Sequence, residues 1–133
     1  MELNEWGPNA WKFLHAVTFA YPETPSIRMQ QQAKTFFESL GDMLPCKKCG
    51  FHWKQQLQQH PVATKNREAL SRWLVMAHNQ VNASNNKRQF SYDEVCDIYD
   101  PDCNRCIQKE GVPWIVYVVA AVLVGVIIMY KIR

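Results

Sequence analysis

The 133-residue sequence predicts an all-α domain followed by a membrane-spanning helix. Four stretches place apolar residues at helical spacing, and no segment alternates apolar and polar residues as a strand does. A run of about 19 uncharged residues, from Val112 to Tyr130, is long enough to cross a bilayer as a helix. We therefore expect a four-helix bundle with a short fifth helix, then an arm, then a single transmembrane helix.

The charge pattern does not indicate a nucleic-acid-binding protein. The net charge is +3, and the Lys and Arg residues are spread along the chain rather than clustered. Five cysteines are many for a chain of this length, and in a reducing compartment such patterns are more often catalytic or metal-binding than structural. An odd number leaves at least one cysteine without an intrachain disulfide partner.

Proline positions and apolar spacing predict the first two helices. Pro8 suits the first turn of a helix that carries Trp11, and His15 follows one turn later on the same face, where the pattern alone favours a buried core histidine. Thr24 is expected to cap the second helix, with Pro25 at its first position. The apolar face of this second helix is predicted to consist of Ile27, Ala33, Phe36, Phe37, Leu40 and Met43.

The third helix is predicted to begin at two cysteines separated by two residues, Cys46 and Cys49. Pro45 ends the preceding apolar stretch and residues 50–57 have a helical pattern, so the pair lies at a helix N-terminus, where unpaired N–H groups favour a thiolate. The two lysines between the cysteines add positive charge. A low thiol pKa, exposure and a second thiol one turn away favour fast thiol–disulfide exchange. The pair therefore indicates redox activity, with a zinc site as the main alternative.

Polar residues accompany the apolar stripe of the fourth helix, which Asn66 is predicted to cap. His78, Asn79 and Asn82 lie along the edge of that stripe, and the two asparagines share a face. Near a core these side chains are costly unless something satisfies them, and a polar ligand would do so. A solvated face is the alternative.

The last part of the chain is predicted to contain a fifth helix, an arm and the membrane span. Ser91 and Glu94 form a capping box for a helix that ends near Tyr99. A second cysteine pair, Cys103 and Cys106, lies in a polar arm, residues 101–111. The domain is assigned to residues 1–100, the span to residues 112–130 and a basic tail to residues 131–133.

The predicted span has interfacial aromatics near both ends, with Trp114 and Tyr117 at one edge and Tyr130 at the other. The first residues lack the apolar region of a signal peptide. We therefore expect a single-pass protein with a C-terminal anchor and its domain on the cytosolic side of the membrane.

Four motifs follow one another between Trp6 and Phe90. They are Trp6-Gly7-Pro8-x-x-Trp11-x-x-Leu14-His15, Tyr21-Pro22, Pro45-Cys46-x-x-Cys49 and His78-Asn79-x-Val81-Asn82, with Lys87 and Phe90 after them. In order and spacing this set resembles the Erv/ALR family of FAD-linked sulfhydryl oxidases, from about Trp6 to Tyr99. The resemblance implies a helical bundle that holds FAD at one end.

The resemblance also implies the roles of individual residues. Cys46 would exchange with the incoming dithiol and Cys49 would react with the flavin, so that electrons pass from the dithiol to the pair, to FAD and to oxygen, giving a disulfide and hydrogen peroxide. No metal ligand is implied. The residues implied to contact the cofactor are Trp6, Gly7, Trp11, His15, Trp73, His78, Asn79, Val81, Asn82, Lys87 and Tyr99, the last at a position where many members carry a tryptophan.

Two features depart from many cellular members. The fourth helix contains no cysteine, whereas those members tie it to the following loop by a disulfide; compact viral members tend to lack that bridge, so we expect a viral membrane protein, with its domain on the cytosolic or equivalent virion face. Cys103 and Cys106 are placed as an electron shuttle would be. A disulfide from Cys96 to one of them, or a metal site, is the alternative.

Partners follow from the same resemblance. Dithiol-containing proteins or a thioredoxin-like relay protein would be substrates, oxygen the acceptor, and a homodimer the assembly. The competing hypothesis is a tail-anchored zinc module that uses Cys46, Cys49, Cys103 and Cys106. The long separation of the two pairs disfavours it, because zinc-binding pairs usually lie about fifteen to twenty residues apart.

Overall fold

The computed structural model describes residues 3–99, and this part of the chain consists of five α-helices. No strand occurs between those two residues, so the predicted all-α class is confirmed there. The cysteine arm, the membrane span and the basic tail predicted for residues 101–133 lie outside the described residues. The helices are α1 (Leu3–Phe19), α2 (Ile27–Met43), α3 (Lys47–Gln59), α4 (Arg67–Ser84) and α5 (Tyr92–Tyr99).

None of the helices within residues 3–99 is long and apolar enough to cross a bilayer. The segment predicted to do so, residues 112–130, lies outside the described residues and stays a prediction.

Helix α1 begins earlier than its proline predicts. It starts at Leu3 and contains Pro8, which was expected in the first turn. Proline has no N–H to donate to the carbonyl four residues back, so the helix loses one hydrogen bond near its start. The additional turn brings Trp6 and Gly7 into the helix, with Gly7 buried.

Helix α2 begins two residues later than predicted. Ser26, not Thr24, is the N-cap residue, and its hydroxyl accepts a hydrogen bond from the N–H of Met29 at 3.2 Å. The apolar face is also shorter than expected, because Ile27 is 81% exposed and Met43 is 75% exposed. Only the middle of the helix, around Phe37, packs into the core.

The starts of α4 and α5 are as the sequence predicts. The side chain of Asn66 accepts a hydrogen bond from the N–H of Ala69 at 2.8 Å. Ser91 and Glu94 form a reciprocal capping box, in which the Glu94 N–H donates to the Ser91 hydroxyl at 3.2 Å and the Ser91 N–H donates to the Glu94 carboxylate at 2.7 Å.

Aromatic rings form the centre of the core. Trp53 and Trp73 meet edge to face with ring centroids 5.9 Å apart, next to the fully buried Phe37. The Trp53 indole N–H donates to the carbonyl of Phe37 at 2.8 Å, and that of Trp73 donates to the carbonyl of His60 at 3.0 Å. Both rings can be buried because both N–H groups are bonded. The other buried members of the core are Leu14, Tyr21, Val62, Leu70, Leu74 and Ala77.

Two helix pairs position the rest of the molecule, α2 against α3 and α1 against α4. The first pair approaches closely at Gly41 and Gly50, where a Cβ added to Gly50 would lie 2.3 Å from the carbonyl oxygen of Gly41. Only glycine permits this contact, which fixes the first turn of α3 against the last turn of α2.

Candidate active site

Cys46 and Cys49 are joined by a disulfide at the N-terminus of α3, with their Cα atoms 5.2 Å apart. Cys46 is the N-cap residue, and its Sγ accepts a hydrogen bond from the N–H of Cys49 at 3.1 Å. Both cysteines are partly exposed. When the disulfide is reduced, this N–H and the positive end of the helix dipole favour a negative charge on Cys46 Sγ.

A cluster of four rings from three helices forms a second part of the site. Trp11 of α1 stacks on His78 of α4, with centroids 3.9 Å apart and planes 7° from parallel. Tyr99 of α5 stacks on His15 of α1, with centroids 4.6 Å apart and an angle of 17°. This ring cluster, Trp11, His15, His78 and Tyr99, brings together four of the residues predicted to contact the cofactor.

The two histidines of the ring cluster are hydrogen-bonded to each other. Nε2 of His15 lies 3.0 Å from Nδ1 of His78. Burial, and then the neighbouring His78, lower the pKa of His15 to about 3. Burial, and then the charge of Lys87, lower the pKa of His78 to about 4. Both imidazoles are therefore neutral near pH 7, and the contact joins one N–H to one ring lone pair.

The loop after α4 places Lys87 beside this cluster. Its backbone N–H donates to the carbonyl of Asn82 at 2.8 Å, while its side chain is exposed. The side chain of Asn82 is buried. The predicted residues Asn82 and Lys87 are thus held together at the end of α4, close to His78.

Buried polar atoms without partners mark the same region. Nδ1 of His15 and Nδ2 of Asn82 are buried and have no hydrogen-bond partner within residues 3–99. Such atoms are costly unless a ligand or water satisfies them. A third buried atom without a hydrogen-bond partner within residues 3–99 is Nε2 of Gln56, on α3. Gln56 follows Cys49 by seven residues, about two helical turns, so it lies on the same side of α3.

Trp53 links the disulfide helix to the ring cluster, and the sequence analysis missed this role. It lies one turn after Cys49 on α3 and contacts Trp11 edge to face, with centroids 6.2 Å apart. Its four-residue spacing from Cys49 could have indicated it. The same spacing argument, extended by one turn, would have pointed to Gln56.

Two residues that were predicted to contact the cofactor, Asn79 and Trp73, contact other parts of the protein in this structure. The Asn79 side chain donates to the carbonyl of Phe90 at 2.7 Å and accepts from the Phe90 N–H at 2.9 Å, so its amide fastens the loop before α5. Trp73 packs in the core against Trp53 and Phe37. The predictions that Asn79 and Trp73 contact the cofactor stay predictions.

The remaining predicted residues are placed as follows. Trp6 is half-buried and Gly7 is buried in α1, and Val81 is half-buried on α4. Cys103 and Cys106 lie outside the described residues. An open groove of about 410 Å³ runs along α4, with Arg72, Gln80 and Tyr92 in its lining, but Asn79 is the only predicted site residue in it.

Comparison with known proteins identifies the family. The protein-family model described as the Erv1 / Alr family matches residues 8–100 of this chain. The chain belongs to the Erv1/Alr family. It is 35% identical to FAD-linked sulfhydryl oxidase ERV1 of Arabidopsis thaliana over 67% of this chain and 47% of that protein. It is 33% identical to the probable FAD-linked sulfhydryl oxidase R368 of Acanthamoeba polyphaga mimivirus over 73% of this chain and 70% of that protein.

The fold of a solved family member agrees with this assignment. The crystal structure of the FAD binding domain of Erv1 from Saccharomyces cerevisiae superposes with a TM-score of 0.73 at 26% identity, covering 76% of this chain and 96% of that chain. The family predicted from the sequence is confirmed, and it is a family of enzymes whose named members are FAD-linked. The chain spans about half the length of the Arabidopsis relative.

The residues present fit FAD. Its isoalloxazine and adenine rings are flat and need flat walls, which the ring cluster supplies. Its ribityl and phosphate groups carry donors and acceptors that the unpartnered atoms of His15 and Asn82 can meet.

The zinc alternative receives no support from the comparisons or the structure. Cys46 and Cys49 are bonded to each other, whereas zinc binds thiolates. Among residues 3–99, no three His, Cys, Asp or Glu side chains are grouped so as to hold a metal ion.

Proposed function

We propose that this chain is an FAD-dependent sulfhydryl oxidase that forms disulfides in client proteins, with oxygen as final electron acceptor and hydrogen peroxide as second product. The observation that carries the proposal is the arrangement of one helix: α3 presents the Cys46–Cys49 disulfide at its exposed end, and one turn later Trp53 touches the ring cluster. The redox pair and the residues that fit the cofactor therefore lie next to each other.

The first half of the reaction is exchange between the client dithiol and this disulfide. A client thiolate attacks Cys46 Sγ, forming a mixed disulfide and releasing Cys49 as the thiolate. The second client thiolate then attacks the client sulfur of that mixed disulfide, and Cys46 leaves as the thiolate. The Cys49 N–H, 3.1 Å from Cys46 Sγ, stabilises this leaving group.

The second half of the reaction returns the pair to the disulfide. FAD, when bound, supplies the two-electron chemistry that connects the reduced pair to oxygen. The chain's contribution is to hold the cofactor. Trp11, His78 and Tyr99 would provide its walls, and Asn82 and Lys87 its polar contacts, as predicted from the sequence.

A cysteine substitution tests this function. Cys49→Ser removes one sulfur of the pair and should abolish oxygen consumption with dithiothreitol, while the flavin absorbance per protein stays at the wild-type level. Cys46→Ser should behave in the same way. Retained turnover in either variant would show that the disulfide of α3 is not the redox pair.

The arm forms a further part of the proposal. In a second route, Cys103 and Cys106 would relay electrons from client proteins to Cys46–Cys49. Replacing both with alanine should slow oxidation of a reduced protein substrate more than oxidation of dithiothreitol, because the small thiol reaches the α3 disulfide directly. An equal effect on both substrates would contradict the relay.

The proposal also includes membrane attachment through residues 112–130 and a homodimer, with the domain on the cytosolic or equivalent virion face. The uncharged run with aromatics near both ends supports the span. Exposed apolar side chains on α1 and α2, Phe13 and Ile27, support self-association. Flotation of the full chain with lipid vesicles tests the first, and light scattering of residues 1–110 tests the second.

A further inference from the structure

The redox disulfide is bordered by a surface that disulfide exchange with a small thiol does not require. Lys47 and Lys48, between the two cysteines, are both exposed. Phe51 is 60% exposed and Met43 is 75% exposed. A large aromatic ring exposed to this extent on a small domain, next to a reactive centre, suggests contact with a partner.

Three of these side chains are neighbours on α3, and the fourth, Met43, is close to the disulfide along the chain. Phe51 follows Lys47 by four residues and Lys48 by three, so all three are neighbours on the first two turns of α3. Met43, the last residue of α2, precedes Cys46 by three residues, which places their Cα atoms at most about 11 Å apart. We call Met43, Lys47, Lys48 and Phe51 the docking surface.

Within residues 3–99, the positive charge of the docking surface is not compensated by an ion pair. Between residues 42 and 54 the only acidic residue is Asp42, and its carboxylate is paired with the ammonium group of Lys54. None of the ion pairs formed within residues 3–99 includes Lys47 or Lys48. The field around the attacked sulfur is therefore positive, and the helix dipole of α3 adds to it.

We propose that the docking surface selects client proteins whose reactive dithiol lies in an extended acidic segment, with carboxylates against Lys47 and Lys48 and an apolar side chain against Phe51. This inference rests on the proposed function. The carboxylates would steer the segment toward Cys46, and a basic segment would be repelled. The exchange itself is unchanged: the client loses two electrons and two protons as its disulfide forms, and the Cys46–Cys49 disulfide takes up both electrons and both protons as it becomes a dithiol.

Matched peptides test the selection on the full-length, flavin-loaded protein in which Cys103 and Cys106 are replaced by alanine, so that the peptides exchange with Cys46–Cys49 and not with the arm. Three peptides share one Cys-x-x-Cys core and one apolar residue and differ only in flanking glutamates, glutamines or lysines. Because flanking charge also changes thiol reactivity, each kcat/KM is divided by that peptide's rate with a small neutral disulfide. We expect the acidic peptide to be preferred over the basic one by about tenfold at low salt, and the preference to shrink in about 1 M salt.

Reversing the charge of the two lysines distinguishes binding at the docking surface from an effect of the protein's net charge. Lys47→Glu with Lys48→Glu should reverse the order of the acidic and basic peptides. Lys34→Glu with Lys65→Glu makes the same change in net charge at exposed sites elsewhere and should keep the wild-type order. Phe51→Ser should slow the acidic peptide more than dithiothreitol, since the small thiol has no side chain to place there.

The outcomes distinguish the two proposals. If dithiothreitol is oxidised and the three peptides react equally, or if the Lys47/Lys48 variant keeps the wild-type order, the docking surface does not select acidic clients. If dithiothreitol itself is not oxidised by the flavin-loaded protein, the proposed oxidase function fails, whatever the peptides show.

Discussion

Nε2 of His15 lies 3.0 Å from Nδ1 of His78, which joins α1 to α4 beside the stack of Trp11 on His78. His15 is completely buried, so the contact is shielded from water. Since both rings are neutral, one must donate and the other accept. This pair therefore holds the orientation of His78, the ring that Trp11 covers, and makes the cluster sensitive to acid.

Stability should fall as the pH drops below the usual histidine range. The pKa of His15 is about 3 in the folded chain and about 6.5 in the unfolded chain, so the unfolded state binds more protons between these values. Between pH 7 and pH 5, His15 alone should lower the free energy of unfolding by about 2 kcal/mol. His78, whose folded pKa is about 4, acts in the same direction.

Urea unfolding followed by circular dichroism at pH 7 and pH 5 measures this loss. His15→Gln cannot take up a proton, so its unfolding free energy should change less between the two pH values than that of the wild type. An equally steep change in the variant would show that other groups cause the acid sensitivity.

His78→Ala should weaken FAD binding. The substitution removes the ring that stacks on Trp11 and bonds to His15, and a loss of about 1.4 kcal/mol corresponds to about tenfold in affinity. Flavin absorbance per protein after dialysis measures the occupancy. Gln80→Ala, a half-buried residue on the same helix outside the ring cluster, should keep its flavin. Unchanged occupancy in His78→Ala would remove this residue from the site.

Asn79→Ala should destabilise the fold. Its side chain makes two hydrogen bonds to the backbone of Phe90, and leaving these partly buried groups unpaired costs about 2 kcal/mol. Asn85→Ala provides the comparison, because the exposed Asn85 amide makes one bond, to the Val81 carbonyl, and its removal should cost less than about 0.5 kcal/mol. Similar unfolding free energies for both variants would contradict the fastening role of Asn79.

Gly50→Ala should destabilise the protein much more than Gly41→Ala. The new Cβ at position 50 meets the Gly41 carbonyl oxygen at 2.3 Å, and backbone cannot yield without moving α3, at a cost of about 1–3 kcal/mol. At position 41 the three atoms nearest to the new Cβ belong to the side chain of Lys54, the closest being its Cγ at 2.6 Å. This side chain can move by giving up its exposed ion pair with Asp42, which is a smaller cost than moving backbone. Thermal unfolding of the two variants compares them, and equal melting temperatures would argue against the close contact of α2 and α3.

Local sequence signals predicted much of this fold. Asn66 and the Ser91–Glu94 box marked two helix starts correctly, because a cap acts on residues only three positions away. The starts of α1 and α2, which were predicted from Pro8 and Thr24, were wrong. A proline inside a helix costs one hydrogen bond, which packing can offset. Near position 25 two candidate capping residues, Thr24 and Ser26, compete.

The site was less predictable, because its contacts join residues that are distant in the chain. His15 and His78 are 63 positions apart, and neither periodicity nor spacing shows that they meet. The sequence pattern left Asn79 and Asn82 with the same two alternatives, a ligand or solvent. In the structure the Asn79 side chain is hydrogen-bonded to the backbone of Phe90, which is neither alternative. Nδ2 of Asn82 is buried and has no hydrogen-bond partner within residues 3–99.

The most direct test of the central claim is the absorbance spectrum of purified residues 1–110 before and after dithiothreitol is added in air. An oxidase that couples Cys46–Cys49 to FAD should show a flavin band that bleaches as the thiol is consumed, and returns while oxygen falls and hydrogen peroxide accumulates. A colourless protein, or a flavin band that dithiothreitol does not bleach, would contradict the account.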